Sequence, residues 1–557
     1  MDVSPFLSTL APEILQLVIE HTHASAHWPL AQTCKYIYLN SESILERHRK
    51  AWQEFRVASD LDPRTVINLL WSVFSQGAAS IEAWHVREFE VWGDREGSNS
   101  DSWEAIWDTW HVDVDTGKRT VKGDTVPWPL SNQETNYFCD TMLKLPRFYG
   151  ESRNLNDELR QVFESCRDSL PKAILLAHLP RIQALRYAQV DDELTRHSLD
   201  ALSGFMYWCE SAGTWLPGLQ SLSKVSLHIG LDRTDDEVVP PEYLSRSADN
   251  FCALLCLPNI SEVYISHVDG GLPLRDRGSL CPKDIRPSLA KTSPVQTIIL
   301  DMLEYELSDR LIDFIARIPR ALQALAIRFN TNNYNDLPEN TERMVYELSK
   351  HQGPSLQRLC IHDDEQDEGP SSLNWRTLDE LIPFEDLRVA NLDWRAIEAG
   401  LDPNEKAQSR SELLERLFGI FKNALPAKME IVAFGQFESD EPVFFKLDQI
   451  SGSELGYIDD VVEAMVKSER YRNLKAVFLQ GIQTQLSYLT GITLRFPKTI
   501  KAADERGIYI HVKGSKPPPG LSRNGEFVPF PRRDSMVTGR FETEDRERLH
   551  CTKRYRD

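Results

Sequence analysis

The sequence predicts an α+β protein: a short N-terminal helical module, then an irregular α/β solenoid of repeated strand–helix units. Three observations carry that reading. Two apolar stretches with helical spacing open the chain, over residues 10–19 and 28–38. One strand grammar, Leu-x-x-Leu-x-Leu with apolar replacements, recurs through residues 172–512. The 557 residues are 41% hydrophobic, enough to bury more than one packed unit.

The first helix is expected from Pro12. Its missing N–H costs nothing in a first turn, and Glu13 sits by the positive end of the helix dipole. Ile14, Leu17, Val18 and His21 recur at helical spacing, with Leu15 and Ile19 beside them. The helix is therefore apolar on more than one face and needs cover on both sides. Its own domain supplies one cover; the other is either a larger core or a partner. A second segment, Trp28-Pro29-Leu30-Ala31, leads to Cys34-Lys35-Tyr36-Ile37-Tyr38. A third helix, capped by Ser41 or Ser43, is expected to run through Ile44, Leu45, His48 and Trp52.

These segments resemble an F-box, the helical module by which substrate receptors dock onto the Skp-family adaptor of a cullin–RING ubiquitin ligase. Leu10, Pro12, Glu13, Ile14, Val18, Leu30, Cys34, Lys35 and Tyr36 or Tyr38 carry the resemblance. Two features depart from it: Ala11 is inserted between Leu10 and Pro12, and His27-Trp28-Pro29 replaces the usual acidic start of the second helix. The resemblance implies adaptor contacts from Leu10, Pro12, Glu13, Ile14, Leu17, Val18, Leu30 and Cys34. It implies a Skp-family adaptor with its cullin complex, and a protein target, as partners, with no cofactor. The layout, an F-box ahead of irregular repeats, is similar to fungal-type F-box proteins.

The module is assigned residues 1–55, and residues 56–171 read as a helical, Trp-rich linking region. Asp62-Pro63 opens a helix whose stripe is Val66, Ile67, Leu70, Trp71 and Phe74. Residues 83–92 read as a helix–strand transition, and 93–102, rich in Gly, Ser, Asn and Asp, as a loop. Trp103, Trp107, Trp110 and Trp128 read as aromatic packing that fastens the module to the rest.

The solenoid is assigned residues 172–512. Its clearest copies end in Leu185-Arg186-Tyr187, Val225-Ser226-Leu227, Val263-Tyr264-Ile265, Ile298-Ile299-Leu300, Leu325-Ala326-Ile327 and Leu359-Cys360-Ile361. Weaker copies lie near Val389, Ile431, Val477 and Ile510, and helix-like segments such as 311–318 and 461–466 separate them. This is the strand signature of leucine-rich repeats, at a spacing longer than their usual ~20–29 residues. The asparagine that normally follows the strand is replaced by Val190, Gly230 and Val268. A generic α/β domain with buried parallel strands is the alternative. Residues 513–557, opened by Lys516-Pro-Pro-Pro-Gly520, read as a disordered or loosely packed tail.

In such a strand the leucines point inward and the residues between them face the open concave side. That rule exposes Arg186, Ser226, Tyr264, Ile299, Ala326, Cys360, Arg388 and Phe478. The target is expected on this face, against Arg186, Tyr264 and the flanking His228, Asp301, Arg328 and His362. Arg, Tyr and His suit a protein surface as ligand.

The net charge of −21 disfavours a broad nucleic-acid-binding surface. No apolar run approaches the ~18 residues of a membrane span, and no basic segment precedes an apolar one at the N-terminus. Nine irregularly spaced cysteines suggest reduced thiols and a cytoplasmic or nuclear location. His21, His23 and His27 lack a fourth ligand and read as a polar helix end, not zinc ligands. Cys252 and Cys256 lack CxxC spacing and read as packing. The acidic run 363–368 departs from a calcium loop and reads as solvated. No Gly-x-Ser-x-Gly elbow is present. The expectation is therefore a non-enzymatic substrate receptor that works by raising effective concentration. The alternative is a repeat scaffold whose first helices only cap the solenoid.

Overall fold

The computed structural model describes residues 7–60, 63–91, 95–99, 102–105, 110–112, 119–121, 125–127, 131–143, 168–187, 197–228, 251–266, 290–303, 309–329, 340–363, 381–392, 410–434, 456–479 and 496–512. The chain divides into two compact units, one built chiefly of Met1–Val263 and the other chiefly of Pro282–Arg532.

In the first unit, α1 (Pro12–Glu20), α2 (Ala24–Ala31), α3 (Lys35–Asn40) and α4 (Glu42–Phe55) form the N-terminal helices. Pro12 opens α1 as its chemistry dictates; Ser41 precedes α4 but does not cap it as expected, because its hydroxyl donates back to the Ile37 carbonyl (2.7 Å). Leu15, Ile19, Ala24, Ile37, Ile44 and Ala51 pack into one core, which Ala78 and Ile81 complete from beyond residue 55. The strand β1 (Val57–Ser59) follows directly, then α5 (Pro63–Phe74), α6 (Ile81–His85) and β2 (Glu88–Val91). Gly77, between α5 and α6, has φ +63° and lies against the end of α1. A Cβ there would stand 2.2 Å from the Glu20 carbonyl oxygen, so glycine is required twice over.

Residues 93–102 are not simply a loop. β3 (Arg95–Asn99) pairs antiparallel with β4 (Ser102–Ala105), while β5 (Trp110–Val112) pairs with β6 (Arg119–Val121) and β7 (Thr125–Pro127) with β4. Polar residues that read as loop form the short strand β3 itself, because strand pairing is a backbone property. The stretch 56–171 is therefore mixed and not wholly helical. The tryptophan packing expected there, and the tail 513–557, lie outside the described residues.

Next come α7 (Asn132–Leu143) and α8 (Ser169–His178). Ser131 and Glu134 form a capping box: the Ser131 N–H donates to Glu134 Oε2 (2.7 Å) and the Glu134 N–H to Ser131 Oγ (3.3 Å). Lys172 on α8 is fully buried between Asp60 (2.8 Å) and Asp168 (2.7 Å). Then follow β8 (Ala184–Tyr187), α9 (His197–Ala212), α10 (Pro217–Ser221), β9 (Lys224–His228) and β10 (Glu262–Ser266). The repeats lack the expected asparagine after the strand, but serines just before the strands do comparable work. Ser223 Oγ donates to the Gln183 carbonyl (3.1 Å) and Ser261 Oγ to the Ser223 carbonyl (2.9 Å).

The second unit alternates strand and helix: β11 (Thr297–Leu303), α11 (Asp309–Arg317), β12 (Ala324–Phe329), α12 (Asn340–Gln352) and β13 (Arg358–Asp363). It continues with β14 (Val389–Leu392), α13 (Arg410–Ala424), β15 (Ile431–Phe434), α14 (Gly456–Lys467), β16 (Ala476–Leu479), α15 (Pro497–Arg506) and β17 (Tyr509–Val512). Buried polar side chains stitch some of these repeats to their neighbours. Gln352, fully buried, donates to the Ala316 (2.7 Å) and Pro319 (2.9 Å) carbonyls and accepts from the Leu322 N–H (2.9 Å). Asp459 accepts from the Thr499 N–H (2.9 Å) at the start of α15.

Twelve strands make one parallel sheet in the order β1-β2-β8-β9-β10-β11-β12-β13-β14-β15-β16-β17. All ten sequence-predicted copies are strands of it. Its first two strands, β1 and β2, precede the region where the Leu-x-x-Leu-x-Leu grammar becomes legible.

Candidate docking surface on the N-terminal helices

The helix α1 is apolar around most of its circumference, and the fold uses only one side of it. Leu15 and Ile19, four residues apart, are fully buried in the module core. Ile14, Leu17 and Val18 point the other way and are 49%, 51% and 38% exposed. Trp28 on α2 and Tyr38 and Leu39 on α3 are exposed as well. Pro12 and Glu13 stand in solvent at the start of α1, whereas Leu10, Leu30 and Cys34 are half-buried against the core. Sequence reasoning missed Trp28 and Leu39 as surface members; α2 and α3 are too short for periodicity to say which side faces in.

The module is held rigidly from behind. Tyr36 donates its hydroxyl to the Leu10 carbonyl (2.8 Å), tying α3 to the segment before α1. His27, fully buried, bonds the Thr22 carbonyl through Nε2 (2.8 Å) and His48 Nε2 through Nδ1 (2.8 Å); His48 Nδ1 bonds His85 Nε2 (2.7 Å). Donation from His27 to the carbonyl sets one proton on each ring, so the chain from α2 through α4 to α6 is neutral. Burial holds His48 and His85 down to about 4 and lowers His27. His23 caps α2 by accepting from the Ser25 N–H (3.2 Å). Among the described residues no three His, Cys, Asp or Glu side chains converge as a metal site would need.

The strand face expected to meet a target is covered. Arg186, Ser226, Tyr264, Ile299, Ala326, Cys360 and Phe478 are all buried, and of the expected exposed positions with described side chains only Arg388 is exposed. Arg186 is spent on Glu90 (3.0 Å), its register partner on β2. The Cys360 thiol, wholly buried, is pushed up to about 12. Parallel strands are commonly covered on both faces, and then read as near-continuous apolar runs. Ile298-Ile299-Leu300 and Val477-Phe478-Leu479 are such runs, so the signal was present but subordinate to the repeat grammar. The side chains of His228, Asp301, Arg328 and His362 lie outside the described residues, though Arg328 and His362 are backbone register partners.

Among the described residues, no helix is long and apolar enough to cross a membrane. No disulfide joins Cys34, Cys209, Cys252, Cys256 or Cys360. No family model matches the chain, and no curated protein matches it. Among solved structures, it is similar to a chain of the yeast Rad7 and Elc1 complex, with a TM-score of 0.29 and 11% identity over 66% of this chain and 79% of that chain.

Proposed function

We propose that this chain is a non-enzymatic recruiter: the substrate-recognition subunit of an SCF-type cullin–RING ubiquitin ligase, docked on a Skp-family adaptor through α1–α3. The observation that carries the reading is the division of α1. Its inner stripe is fully buried, while an outer stripe of three aliphatic side chains stays open beside further exposed aromatic and aliphatic residues. Exposed apolar surface of this kind marks an interaction site. The residues concerned are those on which the F-box resemblance rests. Burial of the strand face takes Arg186 and Tyr264 out of contact with a target, so the target meets another surface. The chemistry asked of the chain is positioning alone.

A scaffold reading draws on a different observation: Ala78 and Ile81 complete the core of the helices, as a cap on the first strands requires. Co-purification of the full chain with a Skp-family adaptor separates the two. The receptor reading expects a stable complex that a variant altered at Ile14, Leu17 and Val18 loses while staying folded. A well-folded chain that ignores the adaptor is a scaffold.

A further inference from the structure

We infer that Arg56, Arg87 and Arg181 form an anion-binding site for a doubly charged oxyanion of the phosphate class, free or esterified. The three come together through the ladder of residues that precede the strands. The Arg56 carbonyl accepts from the N–H groups of Arg87 and Glu88 (both 3.0 Å), and the Arg87 carbonyl from those of Gln183 (2.6 Å) and Ala184 (3.0 Å). Arg56 and Arg87 are thus neighbours at the spacing of paired strands, about 4.8 Å. Arg181 lies in the turn just ahead of Gln183.

Indole rings hold the guanidinium groups in place. Arg56 and Arg87 both lie over Trp52, 5.1 and 5.7 Å from its centroid, and Arg181 lies 4.6 Å over Trp84. A guanidinium whose face rests on a ring keeps its in-plane N–H fork available to an oxyanion. Arg87 is 8% exposed, and its Nη1 is anchored on the Trp84 (2.8 Å) and Val86 (2.9 Å) carbonyls. Arg56 and Arg181 are exposed, so the site opens to solvent.

Charge makes the group distinctive. Near other strand starts basic and acidic residues alternate: Lys224 pairs with Glu262 (2.9 Å), and Arg388 (3.5 Å) and Lys475 both pair with Glu430. Among the described residues, none of Arg56, Arg87 and Arg181 forms an ion pair. Nearby Glu82 is held bidentately by Arg47 (2.8 and 2.9 Å), and Glu88 feels the Arg56 charge without pairing with it. Burial first, then the like charges of Arg181 and Arg56, hold Arg87 down to about 10. A chain of net charge −21 has carboxylates to spare, yet among the described residues none forms an ion pair with this cluster. The forks of Arg56 and Arg181, with the charge of Arg87 and the N–H groups its Nη1 anchors leave over, suit an anion with two charges and three acceptor oxygens better than a single carboxylate. The overall negative charge disfavours a polyanion such as nucleic acid.

The test is calorimetric titration of the full chain, at low salt, with inorganic phosphate and with a phosphoserine peptide beside its unphosphorylated form. Arg56→Gln with Arg181→Gln changes two exposed side chains; unchanged thermal unfolding shows that the fold is kept. The wild type is expected to bind, and the double variant to bind about 100-fold more weakly, tenfold for each lost charged contact. Tighter binding of the phosphopeptide than of phosphate assigns the anion to a protein ligand; equal binding assigns it to a free ion. If neither probe binds the wild type, or the double variant binds as well as the wild type, the site is refuted and the arginines only brace the tryptophans.

Discussion

Replacing Ile14, Leu17 and Val18 together by serine separates docking from folding. The three side chains are 49%, 51% and 38% exposed, so roughly half of each remains for a partner to cover. Full burial of such a side chain is worth about 1.5–3 kcal/mol, and covering the outer halves of three contributes about 2–4 kcal/mol. Adaptor affinity should therefore fall by roughly 30- to 1000-fold. The cost to the fold is smaller, about 1 kcal/mol or less per residue, because the inner contacts of α1 belong to Leu15 and Ile19. Leu15→Ala is the contrast: from a fully buried position it should cost about 2–5 kcal/mol of stability. Titration of the purified adaptor, with urea unfolding of each variant alongside, reads both quantities. A triple variant that is folded and binds within about threefold of the wild type refutes the assignment of this face to docking.

Three further predictions concern the frame of each unit. Gly77→Ala forces a Cβ against the Glu20 carbonyl at positive φ and should cost about 2–4 kcal/mol, measured by urea unfolding; a loss below about 0.5 kcal/mol means the contact is slack. Gln352→Ala leaves the Leu322 N–H and two carbonyls without their buried partner and should cost about 3 kcal/mol, whereas Ser349→Ala, at a half-buried position whose hydroxyl bonds the Tyr346 carbonyl of its own helix, should cost about 1 kcal/mol or less. Acid should loosen the N-terminal helices: His48 and His85 titrate near 4 when folded and near 6.5 when unfolded, so between those values the unfolded chain binds more protons. Stability is then fully present above pH 6.5 and is lost as pH falls toward 4; an unfolding temperature equally acid-sensitive in His48→Gln would contradict the neutral chain.

Much of the frame was legible from local chemistry. Pro12 and Ser41 mark the starts of α1 and α4, Pro63 opens α5, and every copy of the Leu-x-x-Leu-x-Leu grammar lies on a strand of the large sheet. The two-sided apolar character of α1 was legible too: Leu15 and Ile19 are buried while Ile14, Leu17 and Val18 stay exposed. What failed was the meaning of the residues between the leucines. Alternation says which side chains share a face, and Arg186, Tyr264 and Phe478 do lie opposite the leucines. It does not say whether that second face is covered.

The sequence by itself determined the N-terminal helices and the repeat strands in their order, since proline geometry and apolar period act within a few residues of one another, but not the short hairpin strands between residues 95 and 127. It also determined that α1 has more apolar surface than one core can absorb. The tertiary structure alone decided which side of α1 is left open, because that depends on Ile37, Ala78 and Ile81, which reach it from distant parts of the chain. It alone brought His27, His48 and His85 into one hydrogen-bonded line, and Arg56, Arg87 and Arg181 to one end of three parallel strands. Neither trio has a sequence spacing that marks it. Parallel pairing joins segments that are dozens of residues apart, and a contact made that way leaves no period in the chain for a local reading to find.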